Sequence, residues 1–147
     1  MFAACSPQAP AQNAASTATA EPGAQTGLRQ VPLTIRSATG EHRFTVAVAA
    51  TPEQQEIGLM FRRSLGPNEG MIFPYDPPRS VAFWMKNTLI PLDIIFIRAD
   101  GTIVRITTAQ PHDLTPVPSG EPIAAVLEIP GGRAAELGIR EGDIARW

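Results

Sequence analysis

The sequence has little of the residues and runs that most often reveal a function. It contains one cysteine, two histidines and one lysine, Lys86, while the other eleven basic residues are arginine. It has no run of the roughly 20 apolar residues that a membrane-spanning helix requires. Its formal net charge of −2 argues against a nucleic-acid-binding protein, in which a basic stripe would be expected. The length of 147 residues suits one globular domain.

Recognised catalytic and cofactor-binding patterns are also missing. The sequence has no Gly-Xaa-Ser-Xaa-Gly elbow, no His-rich zinc spacing and no glycine-rich phosphate loop. Its Asp and Glu residues are scattered, so their spacing identifies no catalytic carboxylate pair. We therefore expect no cofactor, and we favour a binding or accessory module over an enzyme.

The first 27 residues differ in composition from the rest of the chain. They contain no Lys or Arg and, after Phe2, no large apolar residue until Leu28. A segment of this kind cannot bury enough apolar surface to offset the entropy lost on ordering. We predict that residues 1–27 form a disordered tether and that residues 28–147 form a single globular domain.

Cys5, the one cysteine, lies in the sequence FAACS at residues 2–6. This sequence resembles the end of a bacterial lipoprotein signal, in which the cysteine is lipidated after cleavage. The charged and hydrophobic parts of a signal peptide do not precede it, so an incidental cysteine in a tail is the alternative. Lipidation at Cys5 predicts an exported protein on the periplasmic side of the cell envelope. Contact with the membrane would then be made through the lipid anchor.

The first part of the predicted domain contains a hairpin and a helix. Alternating apolar residues predict strands at 31–36 and 41–49. Thr51 opens the sequence TPEQ, which is typical of a capped helix start with proline in the first turn. Apolar residues continue at helical spacing to Phe61, so we expect this helix to extend through Arg63.

The second part of the domain is rich in strand patterns. Leu92–Ile97 is apolar on both faces, which indicates a central strand. The remaining predicted elements are strands at 70–75, 79–87, 102–108, 123–129 and 144–147, a loop at 109–122 and a helix at 133–137. The sequence therefore predicts an α+β domain. Its mostly antiparallel rolled sheet or small β-barrel would have about seven or eight strands, with two short helices.

Several unusual sequence blocks occur together and in order. They are GLM at 58–60, GMIF at 70–73, FWMKNT at 83–88, IPLDI at 90–94 and LEIP at 127–130. Together they resemble the bacterial and archaeal family known as domain of unknown function 192, over roughly residues 30–147. The resemblance implies a compact α+β domain that is often exported. It implies no known substrate, cofactor or catalytic residue.

A cluster of polar residues is set among the apolar strands. Lys86 and Asn87 end one predicted strand, and Asp93 begins the next after a tight crossing. Trp84 should share a strand face with Lys86. Charges that converge beside an aromatic wall can bind an anionic or sugar-like small molecule. The predicted ligand-binding residues are Arg62, Glu69, Trp84, Lys86, Asn87 and Asp93.

Other interpretations of the same residues stay open. Lys86 and Asp93 could form a structural ion pair that fixes the crossing. A desolvated Lys86 could instead act with Asp93 in a small hydrolase or transferase. In a third interpretation the protein is structural, or its aromatic surface binds another envelope protein. We expect a monomer whose partner is a small molecule or an envelope protein.

Three methionines form a second, weaker candidate. Met60, Met71 and Met85 have thioether groups that could bind Cu(I) in an oxidising compartment. Their spacing matches no recognised ligand pattern, and methionine more often fills irregular gaps in a core. We therefore predict no metal site and keep copper as the alternative.

Overall fold

The computed structural model describes residues 20–147, and these residues form nine strands and two short helices. The strands are β1 (Gln30–Ser37), β2 (Gly40–Val48), β3 (Glu69–Arg79), β4 (Ala82–Phe83), β5 (Leu92–Ile97), β6 (Ile103–Ala109), β7 (Val117–Pro118), β8 (Ile123–Pro130) and β9 (Ile144–Arg146). The helices are α1 (Pro52–Ile57) and α2 (Arg133–Leu137). Because the helices contain only six and five residues, the fold is mostly β.

Seven strands form one sheet in the order β6-β5-β8-β3-β2-β1-β9, and β4 pairs with β7 in a separate ribbon. Neighbouring strands are antiparallel except for β2 and β3. The two edges of the sheet meet at one end. There the Ile103 N–H donates to the Asp143 carbonyl, and the Ala145 N–H donates to the Gly101 carbonyl, both at 2.8 Å. The sheet is therefore a curled half-barrel, which confirms the prediction of a rolled, largely antiparallel sheet.

An apolar core lies on each side of the central strands. Alternate residues of β3 point to opposite sides of the sheet. Ile72 therefore belongs to the first core, and Met71 and Phe73 belong to the second core. All six residues of β5 are buried, and β5 lies between β6 and β8. The prediction that Leu92–Ile97 is a central strand is therefore confirmed.

Helix α1 begins as predicted but ends earlier. Thr51 accepts a hydrogen bond from the Gln54 N–H, and the Gln54 side chain completes the capping box. The helix stops at Ile57 because Gly58 turns the chain with a positive φ of 50°. Phe61 also has a positive φ, 64°, so the predicted helix through Arg63 is wrong. Its apolar residues instead lie in a folded turn over the second core.

The predicted strand at 79–87 is also shorter than expected. Strand β3 continues past residue 75 to Arg79, and only Ala82–Phe83 forms the ladder with β7. The alternation of side chains nevertheless holds, with Phe83 and Met85 turned inward and Trp84 and Lys86 exposed. Residues 109–122, predicted as a loop, supply β7, because Val117 and Pro118 pair with this segment.

Residues 20–27 contact the end of α1. The Glu21 N–H donates to the Phe61 carbonyl at 2.8 Å. The Gln25 side-chain amide donates to the carbonyls of Gln54 and Gly58 at 2.8 and 2.9 Å. Residues 20–27 are therefore hydrogen-bonded to the rest of the described chain. Cys5 lies outside the described residues.

No helix within residues 20–147 is both long and apolar enough to cross a membrane.

Candidate functional site

A cavity of about 440 Å³ lies between α1, β3 and the segment at 80–88. We call it the Glu128 cavity, after the buried acid that lines it. Its lining also includes Phe73, Tyr75, Arg79, Phe83 and Trp84. The turn after α1, the β4 segment and the strands β3 and β8 all contribute to the lining.

Glu128 is the buried polar group of this cavity. It lies on β8, opposite Met71 of β3 and Ile94 of β5, in the middle of the sheet. Only 5% of the residue is exposed. Burial alone raises the pKa of the Glu128 carboxyl to about 8, with no contribution from a hydrogen bond or a neighbouring charge. The carboxyl is therefore mostly protonated at neutral pH, and it would ionise if a cation entered the cavity.

Aromatic rings form much of the wall around this carboxyl. Phe73 and Phe83 pack edge to face, with ring centroids 4.9 Å apart, and Phe83 meets Phe96 in the same way at 6.5 Å. Tyr75 is 8% exposed. Burial raises the pKa of Tyr75 to about 12, Arg79 opposes the rise, and Glu128 adds to it. Tyr75 and Glu128 both line the cavity.

Two cations of the protein lie over aromatic rings of the cavity lining. The Arg79 guanidinium is 4.7 Å from the Tyr75 ring centroid, and Arg79 is exposed. The Lys86 ammonium is 5.3 Å from the centroid of Trp84, which is 49% exposed. Both contacts are cation–π interactions at the surface. The cavity therefore has an aromatic interior with one buried acid, and charges of both signs near its opening: Arg79, Lys86 beside Trp84, and the exposed Glu56.

The structure brings together only part of the cluster predicted from sequence. Trp84 lines the cavity, and Lys86 lies against its ring. The Asn87 side-chain amide is 3.9 Å from the sulfur of Met60, another lining residue. Lys86 is exposed, so it lacks the desolvation that the hydrolase interpretation requires.

Asp93 lies on the opposite side of the sheet and has a structural role. Its carboxylate accepts hydrogen bonds from the Thr108 hydroxyl at 2.6 Å and from the backbone N–H groups of Gly132 and Ala134 at 3.0 and 2.9 Å. These bonds fix the start of α2. Lys86 forms no ion pair with Asp93 among the described residues. Lys86 is exposed beside Trp84, whereas Asp93 is buried at the start of β5, so the structure does not place the two side chains together.

Arg62 and Glu69 line a separate cavity of about 90 Å³ beside Met71. Arg62 donates from its Nη2 to the Gln25 carbonyl at 3.0 Å. Glu69 accepts from the Gly66 N–H at 3.0 Å. The Arg62 Nε is buried without a hydrogen-bond partner among the described residues. Both residues therefore lie apart from the Glu128 cavity.

The methionines do not form a group around one cavity. Met71 and Met85 are each at most 1% exposed and belong to the second core. Met60 lines the Glu128 cavity. Within residues 20–147, no cluster of three His, Cys, Asp or Glu side chains could hold a metal ion.

Sequence reasoning did not find Glu128, the central residue of the site. One signal for it was present, because Glu128 is the one charged residue in the otherwise apolar segment IAAVLEIP. A charge in a strand buried on both faces is unfavourable unless it is paired or neutralised. That rule could have marked Glu128 before its position was known.

Comparisons with known proteins agree with this fold. The sequence model of the DUF192 family, described as an uncharacterized ACR, matches residues 34–147. A protein of unknown function from Novosphingobium aromaticivorans DSM 12444 has a similar crystal structure, with a TM-score of 0.81 and 47% identity. That match covers 88% of this chain and 95% of the other.

A second similar crystal structure is that of a protein from Sinorhizobium meliloti 1021 described as a "putative transcription regulator". Its TM-score is 0.80 and its identity 40%, over 83% of this chain and 96% of the other. No curated protein matches the chain.

Proposed function

The chain belongs to the DUF192 family of uncharacterized proteins, and we propose that it binds a small molecule in the Glu128 cavity. One observation carries the proposal: the Glu128 carboxyl lines an aromatic cavity, is only 5% exposed, and forms no ion pair with any residue in 20–147. Leaving a polar group in this state costs free energy. A bound ligand that pairs with Glu128 would offset that cost.

The size and lining of the cavity support the proposal. Its volume of about 440 Å³ falls within the roughly 300–1,000 Å³ typical of small-molecule sites. Rigid strands hold the interior, because Phe73 and Glu128 lie on β3 and β8 in the centre of the sheet. Trp84 lies at the rim and is about half exposed. A ligand could therefore enter past Trp84 and meet groups that are already in position.

Fluorescence from Trp84 provides a direct test. The chain has two tryptophans, so Trp147→Phe leaves Trp84 as the one fluorescent indole. We would titrate this variant with small aromatic and aliphatic compounds that carry an ammonium, carboxylate or hydroxyl group, or no polar group. Saturable changes in Trp84 emission are expected for compounds that enter the cavity.

A blocked cavity supplies the matched control. Ala82 is exposed and lines the cavity, so Ala82→Phe should obstruct the entrance without burying a new side chain. Ala135→Phe makes the same change on the exposed face of α2 and should leave binding intact. The proposal fails if no compound changes Trp84 emission, or if Ala82→Phe binds each compound as tightly as the parent.

The description of the Sinorhizobium meliloti protein is not extended to this chain. A helix-turn-helix regulator reads DNA with a recognition helix placed in the major groove. The two helices within residues 20–147 contain only six and five residues, and the whole chain has a formal charge of −2. These features favour small-molecule binding over DNA recognition.

We also propose, from the sequence around Cys5, that the protein is lipid-anchored in the cell envelope. In a bacterial host, metabolic labelling with a fatty-acid analogue should label the native chain and not Cys5→Ser. Equal labelling of both proteins, or none of either, would contradict the anchor. Binding in the Glu128 cavity does not depend on that outcome.

A further inference from the structure

We propose that the ligand of the Glu128 cavity carries an ammonium group that pairs with the Glu128 carboxylate, while its apolar part packs against Phe73, Phe83 and Trp84. This inference rests on the proposed function and specifies the chemical class of the ligand. It follows from the charged groups and the aromatic rings that surround the cavity.

The ionisable groups of the lining favour a cation at the inner end. Helix α1 contributes Glu56, which is exposed, and β3 contributes Tyr75 and Arg79. Strand β8 contributes Glu128, and β5 places apolar Ile94 opposite it. Arg79 is held over the Tyr75 ring at the exposed rim. Glu128 is therefore the deeply buried acid, and no cationic group of the lining pairs with it.

Other ligand classes would use this interior less well. An anion placed at the inner end would meet Glu128 only in its neutral form and would gain no charge pairing. A neutral ligand could form a hydrogen bond with Glu128, but it would not stabilise the ionised form of the carboxyl. An ammonium group gains a charge-assisted hydrogen bond in a site largely shielded from water, where such bonds are strong.

The aromatic rings add to the same preference. The faces of Trp84 and Tyr75 already attract the Lys86 ammonium and the Arg79 guanidinium. Aromatic faces carry partial negative charge, so rings that surround a cavity favour cations over anions. The inner rings Phe73 and Phe83 meet edge to face, and they can contact the hydrocarbon part of an amine.

Pairing with an ammonium ligand would change the protonation of Glu128. With a pKa of about 8, about nine in ten Glu128 carboxyls are protonated at pH 7. The bound ammonium stabilises the carboxylate, so the carboxylic acid loses its proton to the buffer while the ligand keeps its own. Binding at pH 7 should therefore release about 0.9 proton per ligand.

Calorimetry with three matched compounds tests this inference. We would titrate the full chain at pH 7 with 2-phenylethylammonium, 2-phenylethanol and phenylacetate, each in phosphate and in Tris buffer. The difference in binding enthalpy between the two buffers gives the number of protons released. The expected result is binding of 2-phenylethylammonium with release of about 0.9 proton, and at least tenfold weaker binding of the other two compounds.

Two glutamine variants identify the responsible carboxyl. Glu128→Gln keeps the shape of the side chain and should weaken 2-phenylethylammonium binding at least tenfold, with no proton release. Glu141→Gln changes an exposed acid on the far side of the molecule and should bind like the parent. Lowering the pH from 7 to 6 should weaken binding to the parent about tenfold, since protonation of Glu128 then competes more strongly.

Each other outcome overturns the ammonium inference. If 2-phenylethanol or phenylacetate binds as tightly as the amine, the cavity binds ligands but does not select ammonium, and the proposed function stands. Amine binding without proton release would place the ammonium away from Glu128. If none of the three compounds binds at millimolar concentration, the inference fails. The proposed function is then decided by the Trp84 fluorescence panel.

Discussion

Replacing Glu128 by glutamine should remove much of the pH dependence of folding between pH 5 and pH 8. Burial raises the pKa of this carboxyl from its ordinary 4.5 to about 8 in the folded protein. The folded state therefore holds this proton more tightly than the unfolded state. The stabilisation from Glu128 protonation is fully present below pH 4.5 and is lost as the pH rises towards 8.

The size of the effect follows from the two pKa values. Between them, the free energy of unfolding falls by about 1.4 kcal/mol for each pH unit. From pH 5 to pH 8 the loss attributable to Glu128 is roughly 3–4 kcal/mol. Above pH 8 both states are ionised at this position, so the loss should level off. Tyr75, with a pKa of about 12, does not titrate in this range.

Urea unfolding at pH 5, 6, 7 and 8 measures the effect directly, because the fitted free energy of unfolding can be compared at each pH. Any pH dependence that the two proteins share cancels in the difference between them. Glu141→Gln, which alters an exposed acid, should follow the parent. The stability difference between parent and Glu128→Gln should shift by roughly 3–4 kcal/mol in favour of the variant as the pH rises.

A parallel pH dependence in the two proteins would refute this reasoning. It would mean that Glu128 has an ordinary pKa in the folded state, either because water reaches it or because another group pairs with it. A shift in the opposite direction would indicate a carboxylate stabilised by a nearby positive charge. Either result would also remove the observation on which the proposed binding function rests.

Three further substitutions test separate parts of the structure. Asp93→Ala should lower the free energy of unfolding by about 3 kcal/mol, because it leaves two backbone N–H groups and the Thr108 hydroxyl without their acceptor. A loss below about 1 kcal/mol in urea unfolding would contradict the structural role of Asp93. Lys86→Met should change the free energy of unfolding by less than about 1 kcal/mol, because the exposed ammonium lies against the half-exposed Trp84. A larger loss of stability would indicate a structural ion pair. Gly70→Ala should cost roughly 2–3 kcal/mol, because its Cβ would overlap the Glu128 carbonyl oxygen. An unchanged melting temperature would show that β3 and β8 can separate locally.

Much of the local structure could be predicted from the sequence because it depends on neighbouring residues. Alternation identified β1 and β2, and the TPEQ sequence placed the start of α1. The fully apolar run Leu92–Ile97 indicated a central strand. The end of α1 was missed because apolar spacing continued past Gly58, although the backbone turns there.

The residues of the site could not be grouped from sequence, because their grouping depends on which strands become neighbours. Lys86 and Asp93 lie seven positions apart in the chain, yet they end on different sides of the sheet. Glu128 is far from Tyr75 in sequence, but the pairing of β3 with β8 brings both residues to the lining of one cavity.

The sequence by itself determined the strand pattern, the family and the presence of a polar–aromatic segment around Trp84. Only the tertiary structure decided which acid lies inside the cavity and which one fixes a helix. The physical reason is that the pKa and hydrogen bonding of a carboxyl depend on its solvent exposure and on donors brought from distant segments. Within residues 20–147 Asp93 accepts hydrogen bonds from three such donors, whereas Glu128 is shifted by burial alone.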